Sequence, residues 1–245
     1  MEPAITTVIP TYRRPRLLAR AVRSVLKQSY PYFQAHVYDN ASGDETQQVV
    51  AELARSDARV KYHCHSQNVG LVRNLCFGLE RVQTPLFNIL SDDDIVLPEF
   101  FASAVQQMSK YPEVAMYMGA TIDATTYGAI VDVPVHRYKR GLLRPPHGLL
   151  EIVKKGHSNW TGLMMSWNMF DLAGGLNVDI GDICDVDLQL RMSAQYPVFV
   201  SPSPAAAFFS HPAQASNRSR DCIRDQVFLP WKRIVEKLIA LNTLS

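Results

Sequence analysis

Four short apolar runs, at residues 5–9, 35–38, 60–63 and 85–91, alternate with four helix-like segments inside the first 110 residues. Runs this short that are rich in Val, Ile, Tyr or Phe read as buried strands. Residues 15–28 place Leu17, Leu18, Ala21, Val22, Val25 and Leu26 on one helical face. Ser42-Gly43-Asp44-Glu45 opens a second helix with acids that complement its dipole. Residues 69–82 and 98–109 supply the third and fourth helices, and the first strand is expected to stop at Pro10. Such alternation builds a parallel sheet with right-handed crossovers, an α/β fold.

Sheets of this kind bind ligands beyond the carboxyl ends of their strands. The loop after the first strand, Pro10-Thr11-Tyr12-Arg13-Arg14-Pro15, has no glycine. That excludes the Gly-rich turn of a dinucleotide site and a phosphate-cradling P-loop. The fourth strand runs directly into Asp92-Asp93-Asp94. Adjacent carboxylates repel one another and call for a cation. A hard divalent ion takes carboxylate oxygens and brings a substrate's phosphates with it. The plainer reading is a solvated acidic turn that caps the helix near Pro98.

Val8-Ile9-Pro10-Thr11-Tyr12, Ser24-Val25-Leu26-Lys27-Gln28-Ser29-Tyr30 and Val37-Tyr38-Asp39-Asn40-Ala41-Ser42-Gly43-Asp44 resemble the opening of glycosyltransferase family 2. Asn68-Val69-Gly70-Leu71-Val72-Arg73-Asn74 and Leu90-Ser91-Asp92-Asp93-Asp94 resemble that family's next two motifs, in order. The resemblance is strong over residues 4–120 and looser over 158–212. It implies one GT-A domain over residues 1–245: a Rossmann-like, parallel-cored mixed sheet flanked by helices. Residues 1–120 are then the nucleotide-sugar half, 121–215 a variable acceptor and catalytic half, and 220–245 a C-terminal helix.

The resemblance also implies a site. Pro10, Thr11 and Tyr12 supply backbone contacts and an aromatic face to the base, and Asp39 accepts the N3–H of uracil or thymine, which cytosine lacks. Arg13 or Arg73 meets phosphate or ribose oxygens, Asn68, Gly70 and Asn74 belong to the same nucleotide-sugar site, and Asn74 orients its loop. Turn formation by Asp39 and simple solvation of Arg13 and Arg14 are the competing readings. The acidic triplet becomes a DXD-type element, with Asp92 on ribose, Asp94 on Mn²⁺ or Mg²⁺, and Asp93 in support; Asp92 is a second candidate ligand and His211 a third. Asp185 falls where the family carries its general base for inverting transfer to a hydroxyl. Asp182 and Asp187 are rivals, because Cys184 and Val186 replace the usual Glu and aromatic.

The implied function is transfer of a sugar from a UDP-sugar, or a dTDP-sugar, to a saccharide or lipid-linked saccharide. A nucleotidyltransferase and a silent sugar-nucleotide-binding module are the alternatives. Trp160 between Asn159 and Thr161 suits stacking on an acceptor sugar, with Asp182 beside it. The basic run His136-Arg137-Tyr138-Lys139-Arg140 suits an acidic acceptor or a solvated loop. A net charge of +2 gives no field for nucleic acid. Dispersed cysteines and no visible export signal lead to the expectation of a soluble, cytoplasmic protein. Trp231, Ile234, Val235, Leu238 and Ile239 line one face of residues 230–241. That face suits packing on the protein body, a homodimer contact or peripheral attachment at the inner face of a membrane.

Overall fold

The computed structural model describes residues 2–125, 130–132 and 137–210. The first half has strands β1 (Ile5–Thr11), β2 (Phe33–Asp39), β3 (Val60–Cys64) and β4 (Leu86–Ile89). Helices α1 (Pro15–Leu26), α2 (Thr46–Ser56) and α3 (Leu71–Leu79) connect them. Next come β5 (Ile95–Val96), α4 (Phe100–Lys110), β6 (Met116–Thr125), β7 (Ile130–Asp132), β8 (Gly141–Leu143) and α5 (His147–Lys155). The described chain ends with β9 (Leu163–Ser166), α6 (Trp167–Leu172), α7 (Cys184–Gln195) and β10 (Val198–Ser210).

All these strands join one sheet, ordered β3-β2-β1-β4-β9-β6-β10-β5, with β7 beside β6 and β8 beside β10. β3, β2, β1 and β4 run parallel, and β9 enters antiparallel between β4 and β6. The result is a mixed sheet with a parallel core. Its two faces are both covered: Val8, Met116 and Met118 pack with residues of α3, α5, α6 and α7, while Ile5, Ile9 and Tyr117 pack with α1 and α4. Coverage on both faces explains why β1 is buried at every position rather than alternating.

β1 does not stop at Pro10. Parallel strands turn alternate residues toward alternate neighbours, and the Val8 carbonyl accepts from Leu90 on the β4 side. Pro10 faces that same side, where β4 has already ended. Its missing N–H therefore breaks no ladder. α1 also ends earlier than its pattern suggests. Gln28 leaves the helix and caps α4, its side chain accepting from the Phe101 N–H and donating to the Leu97 carbonyl.

β5 is a strand the sequence reading did not contain. Only two residues long, it pairs antiparallel with Ala206 and Ala207 of β10. The acidic triplet is thereby held in the turn between β4 and β5. Helix α3 approaches the sheet through Gly78, where an added Cβ would lie 2.8 Å from both Tyr38 and Val8. Gly78→Val should lower stability by about 1–3 kcal/mol, the usual cost of overpacking. Chemical denaturation reads this directly; an unchanged midpoint would mean that α3 shifts freely.

Candidate active site

The carboxyl ends of β1, β2 and β4 converge on a set of polar side chains. From β1, Thr11 Oγ1 donates to Asp92 Oδ2 at 2.7 Å. Arg14, immediately before α1, places Nη1 3.1 Å from Asp92 Oδ1 and 2.7 Å from Asp93 Oδ2. Arg20, one turn into α1, donates to the Asp93 carbonyl and lays its guanidinium over the Phe209 ring at 4.0 Å. Burial pushes the Asp92 carboxyl up to about 6, against the pull of the Thr11 hydroxyl and Arg14. Burial works to lower the Arg14 pKa, but the two carboxylates outweigh it and raise it.

Asp94 is turned the other way. It is fully buried, Oδ2 accepting from Thr161 Oγ1 at 2.8 Å and Oδ1 from the Phe209 N–H at 3.0 Å. Burial and the neighbouring Asp93 charge push its carboxyl up to about 7. The expectation that Asp94 carries the metal meets this geometry: both oxygens point into the fold, one tying the β4–β5 turn to the turn before β9 and the other to β10. Asp94→Ala would orphan both donors and cost about 1–3 kcal/mol for each. A urea titration measures that loss, and a stability equal to wild type would rule out the tie.

At the end of β2, Asp39 is buried. Its Oδ1 accepts from the N–H and hydroxyl of Ser42, at 2.9 and 2.6 Å, and its Oδ2 accepts from Tyr62 at 2.7 Å. Burial first, then the bond to Asp39, raises the Tyr62 phenol. Ser42 also receives the Arg13 N–H and Nε, at 2.8 and 3.1 Å, so the loops after β1 and β2 are stitched together. Arg13 and Ala41 sit in these loops with φ of 55° and 60°. Such left-handed backbone at non-glycine residues costs energy and concentrates at functional sites. Tyr12 stands exposed beside Arg13.

The third loop is ordered by asparagines. Asn40 donates to Asn68 and accepts from the Val69 N–H, while Asn74 donates to the Tyr38 carbonyl and meets His65 Nε2 at 2.9 Å. Asn74 is thus a buried strut. Exposed Gly70 and Arg73 instead line a groove shared with Val178, Asp179 and Gly181, which lead into α7.

Asp185 lies in the first turn of α7, half-buried. Its Oδ1 accepts from the Val186 N–H at 2.8 Å, and its Oδ2 lies 3.6 Å from His157 Nε2. Asp187 is buried and held by Arg191, whose guanidinium also reaches the Ala173 and Gly175 carbonyls. It fastens α7 to that loop. The side chain of Asp182 lies outside the described residues, as do His211, His136 and the segment 220–245.

A short turn joins the two halves of the site. Gln189 of α7 makes two backbone bonds to Ser158, at 2.9 and 2.8 Å. Trp160 then donates to Ser91 at 3.1 Å, and Thr161 reaches Asp94. Buried Asn88 of β4 clamps the same turn through the Thr161 and Leu163 carbonyls. Trp160 is partly buried against the core, with its indole N–H engaged at the triplet. Arg14, Ser42, Tyr62 and Gln189 were not among the expected site residues, and Thr161, expected beside Trp160 on the acceptor side, bonds Asp94. The only signal in the sequence was Arg14's place in the glycine-free loop.

Among the described residues no three His, Cys, Asp or Glu side chains converge as a ready metal cage. The donor set fits a divalent ion held by Asp92 and Asp93 together with a substrate's phosphates, a usual arrangement for Mg²⁺. Nor, among the described residues, is any helix long and apolar enough to cross a membrane.

A family model described as "Glycosyl transferase family 2" matches residues 6–154. A Campylobacter jejuni GalNAc(5)-diNAcBac-PP-undecaprenol beta-1,3-glucosyltransferase is 28% identical over 109 residues, covering 44% of this chain and 35% of its own length. An uncharacterized Mycobacterium tuberculosis protein is 28% identical over 219 residues, covering 82% of this chain and 65% of its own. The chain thus spans from about a third to two thirds of these relatives. In structure it is similar to S. aureus TarS solved with UDP, with a TM-score of 0.72 at 16% identity over 85% of this chain and 61% of that one. A mannosyltransferase from Pyrobaculum calidifontis, solved with GDP-Man and Mn²⁺, gives 0.66 at 15% identity over 98% and 65%.

Proposed function

The chain belongs to glycosyl transferase family 2 and has the GT-A fold; on that premise we propose that it moves a sugar from a UDP-sugar to a hydroxyl acceptor with inversion. The observation that carries the reading is the meeting of Thr11, Arg14, Asp92 and Asp93 at the strand ends, one loop away from Asp39. That is where an open α/β sheet binds its ligand. TarS has been solved with UDP and with UDP-GlcNAc.

In this reading Asp39 receives the uracil N3–H. A carboxylate has about four lone-pair sites. Ser42 and Tyr62 use three bonds' worth, leaving one on Oδ2. Tyr12 offers its ring to the base, and Arg13 and Arg73 face phosphate or ribose. Asp92 and Asp93 hold the diphosphate end with Mn²⁺ or Mg²⁺. When bound, the cation supplies charge neutralisation for the departing diphosphate. Asp185 takes the proton of the acceptor hydroxyl from the far side of the sugar, with His157 beside it to orient the carboxylate. Trp160 and Asp182 border the acceptor, a saccharide free or lipid-linked.

Calorimetry with UDP and CDP tests the donor half. Asp39→Ala should weaken UDP by about 1–3 kcal/mol, the cost of an unpaired polar edge, and leave CDP unchanged. Equal loss for both would remove Asp39 as the reader of the base. Preference for a triphosphate over UDP would favour nucleotidyl transfer instead, and GDP binding as tight as UDP would reassign the donor.

A further inference from the structure

We propose that Arg14 is a resident counter-cation, holding the two carboxylate oxygens that a divalent ion must take, so that the ion enters only together with a nucleoside diphosphate. This rests on the donor site proposed above. A single nitrogen, Nη1, bridges Asp92 Oδ1 and Asp93 Oδ2 at 3.1 and 2.7 Å. The two acids are nearly buried, with side chains 8% and 10% exposed, whereas Arg14 is 31% exposed and has a way out. A bridging ion bound at the short distances of a hard cation would coincide with that nitrogen. Two positive centres so close repel strongly wherever water is thinned out.

Helix capping does not account for Arg14. It occupies the N-cap of α1, makes no side-chain cap, and the first turn contains no acid. A cation at a helix N-terminus faces the unfavourable end of the dipole. Its place is set by the carboxylates. Because guanidinium keeps its charge at any working pH, it cannot leave by losing a proton. Exchange needs an incoming charge greater than one and a new anionic partner for the arginine, and a metal-bound diphosphate provides both. The resting site is thereby partly neutralised without metal, and a bare divalent ion is a poor competitor. Departure of the diphosphate with its ion returns Arg14 to the acids.

The test is titration of Mn²⁺ alone, read by the loss of the free-ion electron paramagnetic resonance signal, on wild type, Arg14→Met and the Arg14→Met/Asp93→Asn double variant. Arg14→Met should bind bare Mn²⁺ at least about tenfold more tightly than wild type, as removal of a close like charge requires. The double variant should lose the gain. In wild type, UDP should strengthen Mn²⁺ binding, and in Arg14→Met that cooperativity should shrink. Arg14→Gln, which keeps an N–H donor without charge, should show the same gain if the methionine variant fails to fold. Should bare Mn²⁺ bind the neutral variants no more tightly while UDP still promotes Mn²⁺ binding in wild type, Arg14 is a structural tie and the donor site stands. Absence of any UDP–Mn²⁺ coupling in every variant would overturn the exchange and the cation site together.

Discussion

Asp185→Asn is expected to lower the transfer rate by about 10²–10⁴-fold, the usual worth of a positioned general base, while UDP still binds as it does to wild type. The amide oxygen can keep the bond from the Val186 N–H that Asp185 Oδ1 accepts, so the start of α7 is preserved. What disappears is a group able to take a proton. The loss belongs in kcat, because proton transfer matters only as the acceptor oxygen attacks. Asp187→Asn makes the contrasting case. Its carboxylate is committed to Arg191, so that variant should lose stability before it loses chemistry. Steady-state kinetics with a donor in excess separates the two. Near wild-type turnover by Asp185→Asn would dismiss it as the base and move the search to Asp182.

Asp93→Asn should weaken the cation-dependent part of UDP binding by about 10–100-fold or more, since losing even an outer partner of a metal costs that much. Asp94→Asn should leave it nearly intact. The two residues are neighbours in sequence with opposite surroundings: Asp93 faces Arg14, and Asp94 faces Thr161 and Phe209 inside the fold. Calorimetric titration of UDP with and without Mn²⁺ decides between them. Loss of metal dependence in Asp94→Asn, with stability unchanged, would restore Asp94 as the ligand.

The first half of the fold was legible because its strands are short runs rich in Val, Ile, Tyr or Phe and its helices carry apolar stripes. β5 was not: two residues carry no period, and only the distant partner Ala206–Ala207 makes them a strand. β1 was cut short because Pro10 usually ends a strand, and which side of the ladder has vacated is a fact of tertiary structure. In the site, the triplet stood out as a cluster of like charge, yet its division of labour did not. Which carboxylate turns inward depends on Thr161 and Phe209, and no local pattern names them. Tyr62 and Ser42 were hidden for the same reason, as ordinary letters of a strand and a turn until Asp39 is placed between them.

The partners of Asp94 lie 67 and 115 positions further along the chain. During synthesis the four parallel strands can emerge and pair long before either partner exists, and until then a buried-type carboxyl waits in water beside Asp92 and Asp93. Contacts of such long sequence separation form late. The β4–β5 turn therefore acquires its final shape only when Thr161 and β10 are in place. A polypeptide cut after α4 would keep most of the family's motifs and still lack both partners of Asp94. Completion of the acidic turn is thus coupled to completion of the sheet.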